Sequence, residues 1–96
     1  MTITIVAKLT IREGKMEEAK EALKEAMKVV KETEPGTLEY IAHTVKDAAN
    51  EIIFVEKYKD GDAIKTHMKN LGKNMKKLSP LLEPGPPDIK TCFPIE

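Results

Sequence analysis

From Thr2 to Ile11 the chain alternates. Ile3, Ile5, Ala7, Leu9 and Ile11 fall on one face, and Thr2, Thr4, Val6, Lys8 and Thr10 on the other. Period two among β-branched residues predicts a strand. The second face is only half polar, and Val6 at its centre points to a cover. Arg12-Glu13-Gly14-Lys15 reads as a turn. From Met16 the period changes, with Met16, Ala19, Leu23, Ala26, Met27 and Val30 recurring every three or four residues, the pattern of an amphipathic helix. Its other side carries Glu17/Lys20, Glu21/Lys24 and Glu25/Lys28, pairs worth a few tenths of a kcal/mol each, roughly, on a solvated surface. Glu17 and Glu18 suit the positive end of the helix dipole, and Lys28 and Lys31 the negative end. Pro35-Gly36 stops the helix.

A second strand is predicted over Thr37 to Val45, with Leu38, Tyr40 and Ala42 on one face and Glu39, Ile41, His43 and Val45 on the other. Lys46-Asp47-Ala48-Ala49-Asn50 has hairpin-turn length, so the next strand, Glu51 to Lys59, pairs antiparallel with it. After Asp60-Gly61-Asp62, where either aspartate can cap a helix, Ile64, His67, Met68, Leu71, Met75 and Leu78 form one stripe, with a kink or break expected near Gly72. Ser79-Pro80 ends it. Glu83-Pro84-Gly85-Pro86-Pro87 is a stiff connector, and Ile89, Thr91 and Phe93 make a short last strand that Pro94 stops.

Strand–helix–strand–strand–helix–strand is the order of the ferredoxin-like (βαββαβ) α+β architecture, a four-stranded antiparallel sheet with helices on one face. Residues 1–96 then make a single domain. The uncovered sheet face, with Thr4 and Val6, is too apolar to stay wet, which predicts a face-to-face homodimer.

Composition narrows the function. Sixteen basic and sixteen acidic residues balance, so no general field favours nucleic acid or an anionic membrane. No apolar run approaches the roughly 18–20 residues of a membrane span, and the first residues do not read as a leader. Cys92 is the single cysteine. It has no partner for an intrachain disulfide, reads as inert, and suits a reducing, cytoplasmic setting.

The chemistry concentrates between Ile52 and His67. Ile52, Phe54, Glu56 and Tyr58 share one face of the third strand, and His67 lies on the inward stripe of the helix that follows. A carboxylate on an apolar face needs a partner. An acid, a phenol and an imidazole thus converge on one interior. His67 is either a general base or a core-edge histidine bonded to Glu56 or a backbone carbonyl. Glu56 either orients His67 or serves as a structural acid for Tyr58 or backbone amides. Tyr40 and Tyr58 either donate to a substrate oxygen or pack with satisfied hydroxyls. Met27, Met68 and Ile64 would complete an adaptable apolar pocket with Tyr40 and Phe54. His43, beside Ile41 and Val45, belongs to the pocket or to the dimer face. Neither a metal-ligand spacing nor a glycine-rich phosphate loop is present, so neither metal nor cofactor is expected.

Glu34-Pro35-Gly36-Thr37-Leu38-Glu39-Tyr40, then Phe54-Val55-Glu56-Lys57-Tyr58, then Asp62-Ala63 with His67, resembles the antibiotic biosynthesis monooxygenase (ABM) family, over nearly the whole chain. The resemblance implies a dimeric α/β-barrel in which two sheets pack together, with a ligand pocket between each sheet and its helices. Several members are cofactor-free oxygenases of polycyclic phenols or quinols, in which a deprotonated substrate meets oxygen directly. Others degrade haem or isomerise a small phosphorylated sugar. The chain lacks tryptophan, and Asn50, Asn70 and Asn74 lie in a turn and on the second helical region, which argues against haem degradation. The expectation is therefore a quinol or phenol monooxygenase with His67 as base, Glu56 holding it, and Tyr58 or Tyr40 on the substrate oxygen. The alternatives are an isomerase or tautomerase of a small carbonyl compound, with Lys57, Lys65 or Lys69 available to a phosphate, and a non-catalytic dimeric ligand-binding module.

Overall fold

A computed structural model describes residues 1–96. The elements are β1 (Ile3–Thr10), α1 (Met16–Thr33), β2 (Thr37–Val45), β3 (Ala48–Tyr58), α2 (Gly61–Asn74), a short 3-10 turn (Ser79–Leu81) and β4 (Asp88–Cys92). The strands form one antiparallel sheet in the order β2-β3-β1-β4. This is the ferredoxin-like arrangement that the alternating periods predict. No helix is long and apolar enough to cross a membrane.

Register sets what the helices cover. Leu9 faces Ile52, Ala7 faces Phe54, and Ile5 faces Glu56, while Tyr40 and Ala42 on β2 oppose Glu56 and Phe54. Two rows therefore cross the sheet beneath the helices: Tyr40–Glu56–Ile5–Thr91 and Ala42–Phe54–Ala7–Ile89. Ala19, Leu23 and Val30 of α1 pack with Leu9, Ile11, Ile52 and Leu78 in the main core. Burying such side chains contributes about 1.5–3 kcal/mol each for the larger ones.

The structure corrects the sequence reading in several places. The hairpin turn is only Lys46-Asp47, with Asp47 in the left-handed region at φ 64°, a conformation aspartate tolerates better than most residues. β3 consequently begins at Ala48. A register irregularity between Thr37 and Glu39 takes Leu38 out of the pairing and leaves it exposed, despite its parity with Tyr40. α2 runs unbroken through Gly72 and ends at Asn74, so buried Leu78 belongs to the turn beyond it. Asp60, not Asp62, caps α2, its side chain accepting from the Ala63 amide at 2.9 Å. Glu25 pairs with Lys77 at 2.8 Å rather than with Lys28, and Glu17–Lys20 and Glu21–Lys24 form as expected.

The opposite sheet face carries Val6 beside Val55, which faces Ile41, and nothing in the chain covers this row.

Candidate active site

Three buried ionisable side chains meet where α2 crosses the sheet. Glu34, Glu56 and His67 are 2%, 8% and 3% exposed, and they are the only buried polar or charged residues. Carboxylates are rarely buried unless paired, and a buried cluster of this kind in a cleft is a candidate functional site.

Each is placed by its element. Strand parity turns Glu56 inward with Phe54 and Tyr58. α2 buries one residue, His67. Glu34 follows the last residue of α1, where its backbone amide donates to the Val30 carbonyl. Its side chain then gathers donors. The Glu34 carboxylate lies 2.8 Å from His67 Nδ1, and it accepts from Thr37 Oγ1 at 3.1 Å and Asn74 Nδ2 at 3.4 Å. An ionised carboxylate only accepts, so where Glu34 is ionised this contact puts a proton on Nδ1, and in a neutral ring the lone pair is then on Nε2. His67 Nε2 is turned toward Glu56 Oε1 at 4.0 Å, too far for a hydrogen bond.

The expectation that Glu56 holds the imidazole is therefore corrected. Glu34 makes that bond, and Glu56 instead accepts from the Tyr58 hydroxyl. Burial pushes the Glu56 carboxyl above its ordinary range. The Tyr58 hydrogen bond and the neighbouring imidazole oppose this, and the Glu34 charge adds to it. Burial likewise raises both phenols, Tyr58 further through its bond to Glu56 and Tyr40 through the charges of Glu56 and Glu34. Both tyrosines therefore stay neutral donors.

His67, Glu56, Tyr58 and Tyr40 line part of a cavity of about 590 Å³ between α2 and the sheet, with Glu34 outside the lining and behind His67. Ile5, Ala7, Tyr40, Phe54, Glu56 and Tyr58 form its floor, and Ile64, His67, Met68, Leu71, Gly72 and Met75 its helical wall. Tyr40 stacks near Phe54, with ring centroids 4.7 Å apart, and near His67 at 5.0 Å, while Tyr58 stands 5.4 Å from His67. The sequence-predicted Tyr40, Phe54, Ile64 and Met68 all reach this cavity. Met27 does not: it sits on α1, which packs along β2, and its sulfur receives the Ala42 amide at 3.4 Å. His43 lies outside as well, exposed, its Nδ1 3.1 Å from the Ile53 carbonyl. Lys57, Lys65 and Lys69 are absent from the lining, which contains no lysine or arginine.

Glu34 is the residue the sequence reading missed. A signal was present, because Ala19, Leu23, Ala26, Val30 and Glu34 continue one buried stripe. A carboxylate at its end demands a partner elsewhere in the chain.

Comparison with known proteins agrees with this fold. No curated protein matches the chain. Over 99% of its length the chain superposes on 91% of a candidate antibiotic biosynthesis monooxygenase from Caulobacter crescentus CB15, with 26% identity and a TM-score of 0.89. A protein of the same description from Bacteroides thetaiotaomicron VPI-5482 gives 23% identity and a TM-score of 0.84, with 99% and 90% of the two chains covered. A conserved protein of Methanosarcina mazei Go1 gives 19% identity and 0.84 over 96% and 91%. These last two speak for the fold alone. The sequence profile of the antibiotic biosynthesis monooxygenases matches residues 2–73, and the chain belongs to that family.

Proposed function

We propose that the protein is a cofactor-independent monooxygenase of a neutral quinol or related phenol, bound in the cavity beneath α2. The observation that supports this most is His67, bonded to the buried Glu34, in the wall of a mostly apolar cavity. Glu34 fixes the tautomer and orientation of the ring, and Nε2 withdraws the hydroxyl proton. Glu56, shifted toward its neutral acid, then donates to the substrate oxygen, with Tyr58 holding it in place. The Tyr40 hydroxyl is a second donor. The quinol anion reacts with molecular oxygen: one oxygen atom enters the ring and the other leaves as water. The quinol itself supplies all four electrons as it becomes a hydroxyquinone.

A second reading, transfer of a proton within a small carbonyl compound, is favoured by the same base and acid 4.0 Å apart. It does not extend to phosphorylated substrates, since the lining offers phosphate no cation. Oxygen uptake with a panel of hydroquinones separates the two: uptake above autoxidation supports the oxygenase, and deuterium exchange into a carbonyl ligand without uptake supports the isomerase. Ligand binding with no turnover, unchanged in His67→Ala, would leave a binding module. As part of the same reading, two copies pair through the open sheet face, where Val6, Ile41 and Val55 lie side by side.

A further inference from the structure

α2 presents two rows to the cavity. His67, Leu71 and Met75 form the inner one, and Ile64, Met68 and Gly72, spaced four residues apart, form the outer one. The outer row stands at the mouth, where Met68 is 57% exposed. Across from it are Pro87 and Ile89, the latter 54% exposed. The exposed lining residues are thus Met68, Gly72 and Ser79 on one side and Pro87, Ile89 and Thr91 on the other, a mostly apolar rim, and the cavity opens between α2 and β4.

Gly72 has no internal reason to be glycine. It lies inside a continuous helix, where glycine is less stable than alanine. Its φ is not positive, unlike those of Gly14 and Gly85. A Cβ there would meet nothing within 4 Å, in contrast to Gly36, whose Cβ would fall 2.7 Å from that of Ala63. Neither backbone conformation nor close packing within the chain calls for it. What it does is leave a gap in the wall at the mouth.

We infer that Gly72 is a specificity-determining position: it lets the cavity accept a neutral phenol carrying an extended apolar substituent, which passes out between α2 and β4. The inference rests on the proposed reading of the site, and it adds which end of the ligand is free. The acidic hydroxyl lies at the His67 end, and the tail runs along Met68, Gly72 and Ile89. The lining, which has no lysine or arginine, favours a neutral tail over an anionic one.

The test titrates the native protein, Gly72→Ala and Gly72→Leu with an unsubstituted naphthol and with the same naphthol bearing a hexyl chain, followed by ligand fluorescence. Gly72→Ala should raise Tm, which shows that the helix tolerates side chains there. Gly72→Leu should weaken hexylnaphthol by about tenfold or more, through lost burial of the chain, and leave naphthol within about twofold. Equal effects on both ligands, no effect on either, or native affinity no higher for hexylnaphthol than for naphthol would overturn the inference while leaving the site reading intact. Failure of the native protein to bind any phenol would overturn both.

Discussion

Glu34 and His67 are 33 positions apart, yet Oε1 of the one lies 2.8 Å from Nδ1 of the other, both fully enclosed. The bond ties the end of α1 to the middle of α2 and determines which imidazole nitrogen can accept a proton. Glu34→Gln keeps the volume and removes the charge that selects the tautomer. Quinol turnover should fall about 100-fold or more, mainly in kcat. Steady-state kinetics checks this, and a change confined to KM would count against the assignment.

Gly36 and Ala63 hold these two elements together from outside the site. A methyl group at residue 36 would approach Ala63 Cβ to 2.7 Å, so the start of β2 and the first turn of α2 must separate. Gly36→Ala should cost about 1–3 kcal/mol of stability, measured by urea denaturation. It should also lower kcat by loosening the Glu34–His67 bond.

Tyr58 is the protein donor to the Glu56 side chain. Tyr58→Phe leaves that carboxyl enclosed without its partner, at a cost of about 1–3 kcal/mol. It also removes an influence that lowers the Glu56 pKa, so the carboxyl should titrate higher still in the variant, as followed by carbon-detected NMR.

Glu56 also makes stability depend on pH. Burial raises its folded-state pKa above the unfolded value. Below the unfolded value both states hold the proton and the shift has no effect. As pH rises past it, the unfolded chain ionises first, and this residue's contribution to stability falls until the folded group ionises too. Glu56→Gln removes that slope. The stability of the variant relative to the native protein should therefore increase from acidic toward neutral pH, measured by denaturation at a series of pH values.

The open sheet face gives a prediction independent of the chemistry. Val55 sits between Val6 and Ile41 on the open sheet face, the valines half-buried and Ile41 exposed, and a lysine there would have to be desolvated on pairing. Val55→Lys should convert a dimer into a monomer in sedimentation velocity. An unchanged species would argue against pairing through this face.

The fold was legible because each element carries its own period: alternation in β1 and β3, and threes and fours in α1 and α2. The inward parity of Glu56 and Tyr58 and the stripe position of His67 followed from the same rule. The partner of His67 did not, since Glu34 stands beside Pro35-Gly36 and reads locally as part of a helix stop. Met27 was misplaced for the converse reason. Its period puts it on the inner side of α1, but period says nothing about which part of the sheet a helix covers. Gly72 looked like a break because glycine is a poor helix former, whereas intrachain packing on both sides carries α2 through it.

The most direct test of the account is the protonation state of a phenol inside the cavity. Under anaerobic conditions, para-nitrophenol bound below its own pKa should show the phenolate absorption band in the native protein and the neutral phenol spectrum in Glu34→Gln and His67→Gln. A neutral phenol bound to the native protein, or phenolate in all three, would contradict the assignment of His67 as the base.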